Sequence, residues 1–267
     1  MLIKWKKCSN CQTYHDPTLE KCPKCHKHNE LYLNREITNH VAFFHPIAQI
    51  GLFLAGFSLA GMLVAELIVA LFLGGIEDKL LLSTTLISVT YLIMFLGLAL
   101  IVILTRRDYF FKKYKRAIDY IYGLGYAMTL VLVSTMVATL LNIFHPVAEN
   151  ANQETAVAIA KGYPILAFFI LGIIGPICEE LTYRVGLYSF FRRINKWLAL
   201  AITAVVFAFI HFDFSGESDL INELWAFPSY LVSGVILTLA YEHRGPACSM
   251  TAHIAYNIFA FMLMLGS

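Results

Sequence analysis

Seven stretches of the chain are apolar enough, and of the right length, to cross a bilayer. A crossing takes about 20 residues of α-helix. The apolar stretches run approximately over residues 46–73, 80–105, 117–144, 163–190, 197–211, 225–241 and 247–265. A polar segment, residues 1–40, precedes them. The pattern predicts an all-α fold, a polytopic membrane helical bundle with about seven transmembrane helices and a small N-terminal module.

The composition agrees with a membrane protein. Of the 267 residues, 58% are hydrophobic and only 14% are charged, and the mean hydropathy is +0.66. Soluble domains carry about 25% charged residues. The net charge of +2 gives no sign of a nucleic-acid partner, and the lipid bilayer is the expected environment.

The loop charges predict an orientation in the membrane. Short cytoplasmic loops are enriched in Lys and Arg, whereas the loops GIEDK, HPVAENANQETAVAIAKG and FDFSGESDLINE hold few basic residues. The chain starts with a basic, cysteine-bearing segment and not with the apolar core of a signal peptide. We expect a multi-pass cell-membrane protein with a cytoplasmic amino terminus and cytoplasmic loops that carry Arg106, Arg107, Lys112, Lys113, Lys115, Arg116, Arg192, Arg193, Lys196 and Arg244.

The N-terminal module contains two Cys-x2-Cys pairs in CSNCQTYHDPTLEKCPKC, with ten residues between them. Two such knuckles can present four thiolates to one tetrahedral zinc ion. The alternative, a pair of disulfides, is disfavoured on the cytoplasmic side. We predict a structural zinc site that supplies the folding energy of this short segment, with the ligands Cys8, Cys11, Cys22 and Cys25.

Other cysteines and the nearby histidines are not predicted to bind this metal. Cys178 and Cys248 lie in apolar surroundings and are expected to be packing residues. The histidines close to the zinc site are expected to be solvent-exposed and not ligands: His15, His26 and His28.

Several polar residues fall inside the apolar stretches, where a charged side chain costs about 2.5–3.5 kcal/mol. The Glu180–Arg184 pair is spaced i and i+4, so the arginine can neutralise that carboxylate. Glu179 is rotated by about 100° from its neighbour and is free to face elsewhere. His253 and Asn257 are also i and i+4, and His211 ends the fifth stretch.

These residues lie at similar depths. Counted at about 1.5 Å per residue from the basic residue at the inner end of each helix, Glu179, His211 and His253 lie roughly 20, 22 and 14 Å into the membrane. One interpretation is a set of interhelical polar contacts that fixes the bundle. The convergence of carboxylate, imidazole and amide groups favours a catalytic site instead. Glu66, in the first stretch, is given no role.

Three motifs resemble those of a known family. EELTYR fits Glu-Glu-x-x-x-Arg, FAFIH fits Phe-x-x-x-His, and HIAYN fits His-x-x-x-Asn. In this order they resemble the CPBP family, the CAAX-protease and bacteriocin-processing intramembrane proteases, also called type II CAAX prenyl endopeptidase-like proteins. The resemblance covers residues 163–265 and leaves out the cysteine module, which is similar to a zinc ribbon.

The resemblance implies a helical bundle that hydrolyses a peptide bond in a cavity open toward the cytoplasmic side. Glu179 would be the general base, assisted by His211, and His253 with Asn257 would stabilise the oxyanion. The Glu180–Arg184 pair would support this geometry. The domain boundaries then are a zinc-ribbon-like cytoplasmic module (1–40), N-terminal transmembrane helices (41–160) and a CPBP-type catalytic core (161–267).

Some alternatives stay open at the sequence level. A glutamate and two histidines can also form a catalytic zinc site, although the HExxH pattern is absent, so a catalytic metal is left undecided. The expected substrate is a membrane-associated protein or peptide, and a cytoplasmic protein partner for the zinc module is left open. A non-catalytic membrane scaffold or bacteriocin-immunity protein is the second hypothesis. A transporter is the third, without the internal repeats common in such folds.

Overall fold

The computed structural model describes residues 6–15, 19, 21–27, 40–57, 67–68, 70–71, 75–145, 150–213 and 219–266. A two-stranded antiparallel sheet, β1 (Lys6–Lys7) with β2 (Tyr14–His15), belongs to the N-terminal module. The helices are α1 (Pro46–Gly56), α2 (Lys79–Lys112), α3 (Ala117–Phe144), α4 (Ala151–Gly162), α5 (Pro164–Phe191), α6 (Lys196–Phe209), α7 (Leu220–Arg244) and α8 (Pro246–Gly266).

The predicted membrane bundle is confirmed, with a difference in helix lengths. Five helices are long and apolar enough to span a membrane: α2, α3, α5, α7 and α8. The other two predicted spans correspond to shorter helices, since α6 has 14 residues, or about 21 Å, and α1 ends at Gly56. Residues 58–66, which include Glu66, lie outside the described part of the chain.

Polar caps account for the starts of two helices. α2 starts where Asp78 accepts hydrogen bonds from the backbone N–H groups of Leu80 and Leu81, at 2.8 and 3.1 Å. α7 starts five residues before the predicted stretch, because Asp219 caps its first turn through Ile221 N at 2.9 Å. The segment predicted as a loop before the fourth stretch contains α4.

α5 is the central helix of the bundle. Half of the apolar stretch of α5 is buried inside the protein, compared with 17% for α2 and 11% for α3. Most of the apolar surface of α2 and α3 is therefore available for contact with lipid. α1 packs on the last part of α5, where a Cβ on Gly186 would lie 2.9 Å from the backbone nitrogen of Phe53. The glycine therefore allows the two backbones to touch.

The bundle has two chemically distinct ends. The basic end holds the last residues of α2, α5 and α7 and the first residues of α3, α6 and α8, including Lys112, Arg116, Arg192, Lys196 and Arg244. The opposite end holds the first residues of α2, α4, α5 and α7, with Asp78, Glu154, Asp219 and Glu223. The distance of a residue from these two ends gives its depth along the membrane normal.

Buried polar contacts close the basic end. Glu242 binds Arg192 at 2.7 Å and accepts the hydroxyl of Tyr188 at 2.7 Å. The hydroxyl of Tyr241 accepts a hydrogen bond from the backbone N–H of Ala42 at 3.0 Å, which joins the segment before α1 to α7. These contacts form a packed floor beneath the centre of the bundle.

Candidate active site

The two adjacent glutamates lie where α5 changes its winding. A π-helical segment, Ile170–Ile174, precedes them, and a second one, Glu180–Tyr188, begins directly after Glu179. π-Helical turns are frequent at functional sites, because they rotate successive side chains and free backbone carbonyls. Asn257 on α8 donates to one such carbonyl, Leu171 O, at 2.9 Å.

Glu180 is directed away from water. It is fully buried, and its Oε1 atom lies 3.2 Å from Nη1 of Arg184, which is also fully buried. The guanidinium of Arg184 also lies over the ring of Phe207, with its Cζ atom 4.5 Å from the ring centroid. A buried charge needs such a partner, so this pair can keep its charges inside the protein.

His253 links the two glutamates. Its Nδ1 atom lies 3.0 Å from Oε1 of Glu180, and its Nε2 atom lies 3.7 Å from Oε2 of Glu179. A carboxylate that accepts a hydrogen bond from one ring nitrogen fixes the orientation of the ring. It thereby also sets the position and the proton of the other ring nitrogen. Glu180 therefore directs His253 Nε2 toward Glu179.

Tyr91 on α2 is a site residue that sequence reasoning missed. Its hydroxyl donates to Oε1 of Glu179 at 3.1 Å. The remaining oxygen of this carboxylate faces His253. The sequence gives no local signal for this contact, because it depends on how α2 packs against α5.

His211 follows the end of α6 and is held on two sides. Its Nδ1 atom lies 2.8 Å from the carbonyl oxygen of Phe207, and its ring stacks on Tyr230 with centroids 4.4 Å apart. A carbonyl can only accept, so Nδ1 carries the proton and Nε2 of the neutral ring has the lone pair. The hydroxyl of Tyr230 in turn donates to Oδ1 of Asn150 at 3.2 Å, which makes Tyr230 a second residue that the sequence reasoning missed.

A cavity of about 520 Å³ brings the candidate residues together. Glu179, His211, His253 and Asn257 line it, and Tyr91 lies on its wall. Glu180 and Arg184 are behind this wall. The structure thus divides the six predicted residues into four that face the cavity and one buried pair.

The four N-terminal cysteines form a second cluster. Their sulfur atoms all lie within 4.8 Å of one another, with Cys8 to Cys25 at 3.6 Å and Cys11 to Cys22 at 3.5 Å. Four thiolates about 2.3 Å from a tetrahedral zinc ion would be about 3.8 Å apart. The spacing fits a metal ion, and the pKa of Cys11 is lowered to about 6 by hydrogen bonds from the side chain and backbone of Thr13.

The two cysteine knuckles have the same backbone geometry. Gln12 and His26, each directly after the second cysteine of a pair, have positive φ angles of 56° and 55°. Their N–H groups donate to the carbonyls of Cys8 and Cys22 at 3.0 and 2.9 Å. The two knuckles therefore present their thiols to the cluster from backbones of the same geometry, as expected for two knuckles that share one metal ion.

The nearby histidines differ from one another. The expectation of exposure is wrong for His15, which lies on β2 and is only 1% exposed. His26 is exposed, and His28 lies outside the described residues. Cys178 and Cys248 are fully buried packing residues, as expected.

Comparison with known proteins gives a family. The model for type II CAAX prenyl endopeptidase Rce1-like proteins matches residues 161–259. The UPF0177 protein YxdF of Lactococcus lactis is 31% identical over 131 residues, which are 48% of this chain and 68% of that protein. The chain belongs to the CPBP family.

Other CPBP relatives match over similar lengths. The UPF0177 protein YvdC of Lactococcus lactis is 29% identical over 143 residues, 53% of this chain and 51% of that protein. The membrane-embedded CAAX protease MroQ of Staphylococcus aureus is 27% identical over 150 residues, 53% of this chain and 56% of that protein. The chain thus spans about half the length of these two relatives. No solved structure matches the chain. The family and the named protease support intramembrane protease activity in general.

Proposed function

We propose that this protein is an intramembrane endopeptidase in which Glu179 activates a water molecule. The observation that carries the proposal is the different environment of two adjacent carboxylates. Glu180 is fully buried against Arg184, whereas Glu179 reaches the cavity between Tyr91 and His253. A general base has to touch water, and only Glu179 of this pair is placed to do so.

The proposed reaction starts with a water molecule between Glu179 and His211. The Nε2 lone pair of His211 accepts one hydrogen bond and orients the water, while the carboxylate of Glu179 takes the other proton. The water oxygen then attacks the carbonyl carbon of the scissile peptide. As the C–N bond breaks, Glu179 returns its proton to the leaving nitrogen.

The developing oxyanion needs donors from the other side of the cavity. His253 is oriented by the contact of its Nδ1 with Glu180, and its Nε2 is directed into the cavity as one such donor. Asn257 uses one amide hydrogen for Leu171 O, and its second hydrogen is available for the oxyanion. Such donors typically contribute about 2.7–4 kcal/mol each to transition-state stabilisation.

A metal ion does not enter this mechanism. A catalytic zinc would need Glu179, His211 and His253 to bring their ligand atoms together. Among the described residues, the cysteine cluster is the group in which three or more His, Cys, Asp or Glu side chains have ligand atoms within 4.8 Å of one another. The glutamate and histidine atoms do not converge to that degree, so we derive no step through a metal here.

For the N-terminal module we propose structural zinc and a cytoplasmic location. The matching sulfur spacing and the twin knuckles support the metal, and the basic character of the nearby loops supports the location. The boundaries 1–40, 41–160 and 161–267 remain our proposed division of the chain. Recruitment of a substrate or of a cytoplasmic protein is the proposed role of the module.

The test of the proposed activity compares membrane peptides and processed proteins from cells that carry wild type, Glu179→Gln or Glu77→Gln protein. Glu77 is an exposed carboxylate outside the cavity lining and serves as the matched control. We expect Glu179→Gln to remove a cleavage product, with a rate loss of about 100-fold or more, and Glu77→Gln to keep it. An unchanged product in Glu179→Gln cells would favour a scaffold or immunity protein that acts by binding.

A further inference from the structure

The direction in which the cavity extends identifies the side from which a substrate enters. We propose that the cavity receives an extended, uncharged peptide segment from the opposite end of the bundle, away from the basic loops. This inference rests on the function proposed above. It concerns access to the site and the chemistry of the segment that is bound.

The cavity lies in the half of the bundle away from the basic end. On α3 the lining residues run from Leu130 to Asn142, which are about 20 to 38 Å from the first residue of that helix. On α8 they run from His253 to Met264, about 10 to 27 Å from the first residue. The catalytic groups therefore lie at the bottom of the cavity, and the walls continue toward the opposite end.

The described residues of the basic end are closely packed. A Cβ on Gly123 would lie 2.8 Å from the carbonyl oxygen of Cys248, so α3 and α8 are in backbone contact there. The Arg192–Glu242 ion pair links the last residues of α5 and α7, and Tyr241 holds the segment before α1 through the N–H of Ala42. A substrate that entered through this floor would have to break buried charged hydrogen bonds.

At the other end the cavity reaches the surface. Asn152 and Gln153, in the first turn of α4, line the cavity and are themselves exposed. This turn lies beside the first turn of α7, because the N–H of Ala151 donates to Glu223 at 3.0 Å. A continuous path thus joins the exposed first turn of α4 to Glu179.

The walls are mostly apolar, with several uncharged hydroxyl and amide groups. Among the described lining residues, Glu179 is the only Asp, Glu, Lys or Arg. Hydroxyl and amide groups suited to an extended peptide backbone line the path: Ser134, Thr135, Asn142, Ser229 and Ser233. A charged substrate side chain would lose its hydration here without a partner, so the segment bound next to the scissile bond is expected to be neutral.

This geometry differs from what the resemblance implied, a cavity open toward the cytoplasmic side. By the distribution of Lys and Arg, the basic end is the cytoplasmic one. The mouth at the first turn of α4 then faces the outer side of the membrane. The substrate is accordingly a secreted peptide or the outer juxtamembrane segment of a membrane protein.

The test uses single added cysteines and a membrane-impermeant maleimide on right-side-out vesicles. Gln153→Cys places a thiol at the mouth and Ser134→Cys places one on the wall, while Lys115→Cys marks the basic end. We expect the first two to be labelled equally before and after permeabilisation, and Lys115→Cys only after it. Wild type, with its own cysteines, gives the background.

The labelling outcomes are decisive in both directions. If Ser134→Cys reacts only after permeabilisation, or reacts only after denaturation, access from the outer side is wrong. If Lys115→Cys is labelled in sealed vesicles, the orientation itself is reversed. None of these results depends on cleavage, so they test access separately from protease activity.

The substrate chemistry is tested by adding a mixed synthetic peptide library to the same sealed vesicles. Products that are lost with Glu179→Gln should have uncharged residues on both sides of the cleaved bond. If charged residues flank these bonds as often as they occur in the library, the neutral-segment proposal is wrong. If no product depends on Glu179 although the labelling is as expected, the protease function fails and the access route stands.

Discussion

The buried pair of Glu180 and Arg184 allows a quantitative prediction. Both side chains are fully buried, and the charged atoms are 3.2 Å apart. At an effective dielectric constant of about 20, two unit charges at this distance attract by about 5 kcal/mol. Removing one partner of a buried pair typically costs about 3–5 kcal/mol, because the other charge stays buried without compensation.

The prediction is tested with Glu180→Gln, Arg184→Met and the double variant. Each single variant should be destabilised by about 3–5 kcal/mol. The double variant should be destabilised by no more than either single one, because no unpaired charge remains and glutamine can still accept from His253. Equilibrium unfolding in mixed detergent micelles measures these free energies.

The matched control is Glu179→Gln, one residue earlier on the same helix. Its side chain is 11% exposed, and the amide oxygen can keep the hydrogen bond from Tyr91. We expect a change in unfolding free energy of about 1 kcal/mol or less. If Glu180→Gln is no more destabilising than Glu179→Gln, or if the two single effects simply add in the double variant, the assignment of Glu180 to a buried structural pair is refuted.

Three further predictions concern the neighbours of this pair and the metal cluster. Tyr91→Phe removes the hydrogen bond to the carboxylate of Glu179, and we expect about tenfold slower cleavage at normal protein yield, measured as turnover of a Glu179-dependent product. Gly186→Ala brings a Cβ against the α1 backbone and should cost about 1–3 kcal/mol in unfolding free energy, whereas Gly125→Ala, with open space at its Cβ position, should stabilise by about 0.5–1 kcal/mol. Cys11→Ser should abolish the zinc content of purified protein by elemental analysis, and retention of one zinc per chain would contradict the four-thiolate site.

Helical spacing was sufficient to predict the polar contacts made by residues on the same helix or at the same depth. Glu180 and Arg184 are close because their i and i+4 spacing forces them onto one face. Glu179 and Glu180 face different surroundings because successive residues of a helix are rotated by about 100°. The cysteine cluster was predictable for a similar reason, since two short knuckles fix the positions of their own thiols.

Contacts between helices that are far apart in the sequence could not be predicted from the sequence. Nothing local to Tyr91 or Tyr230 indicates that they hold Glu179 and His211, because those contacts depend on how α2 and α7 pack. The π-helical segments of α5 also escape a pattern that assumes 3.6 residues per turn. The side on which the cavity extends depends on Gly123 and the closed floor, and a hydropathy profile contains no information on either.

The arrangement of charge around the site supports the neutral substrate that we propose. Arg184 offsets the charge of Glu180 behind the wall, so the substrate faces a cavity with one carboxylate, that of Glu179. An acidic residue next to the scissile bond would be repelled by this carboxylate, and the described wall has no Lys or Arg to pair with it. A basic residue would pair with it and remove the base from the reaction. A neutral segment leaves Glu179 free to bind and activate water, and it is the kind of segment that the hydroxyl and amide groups of the wall can hold.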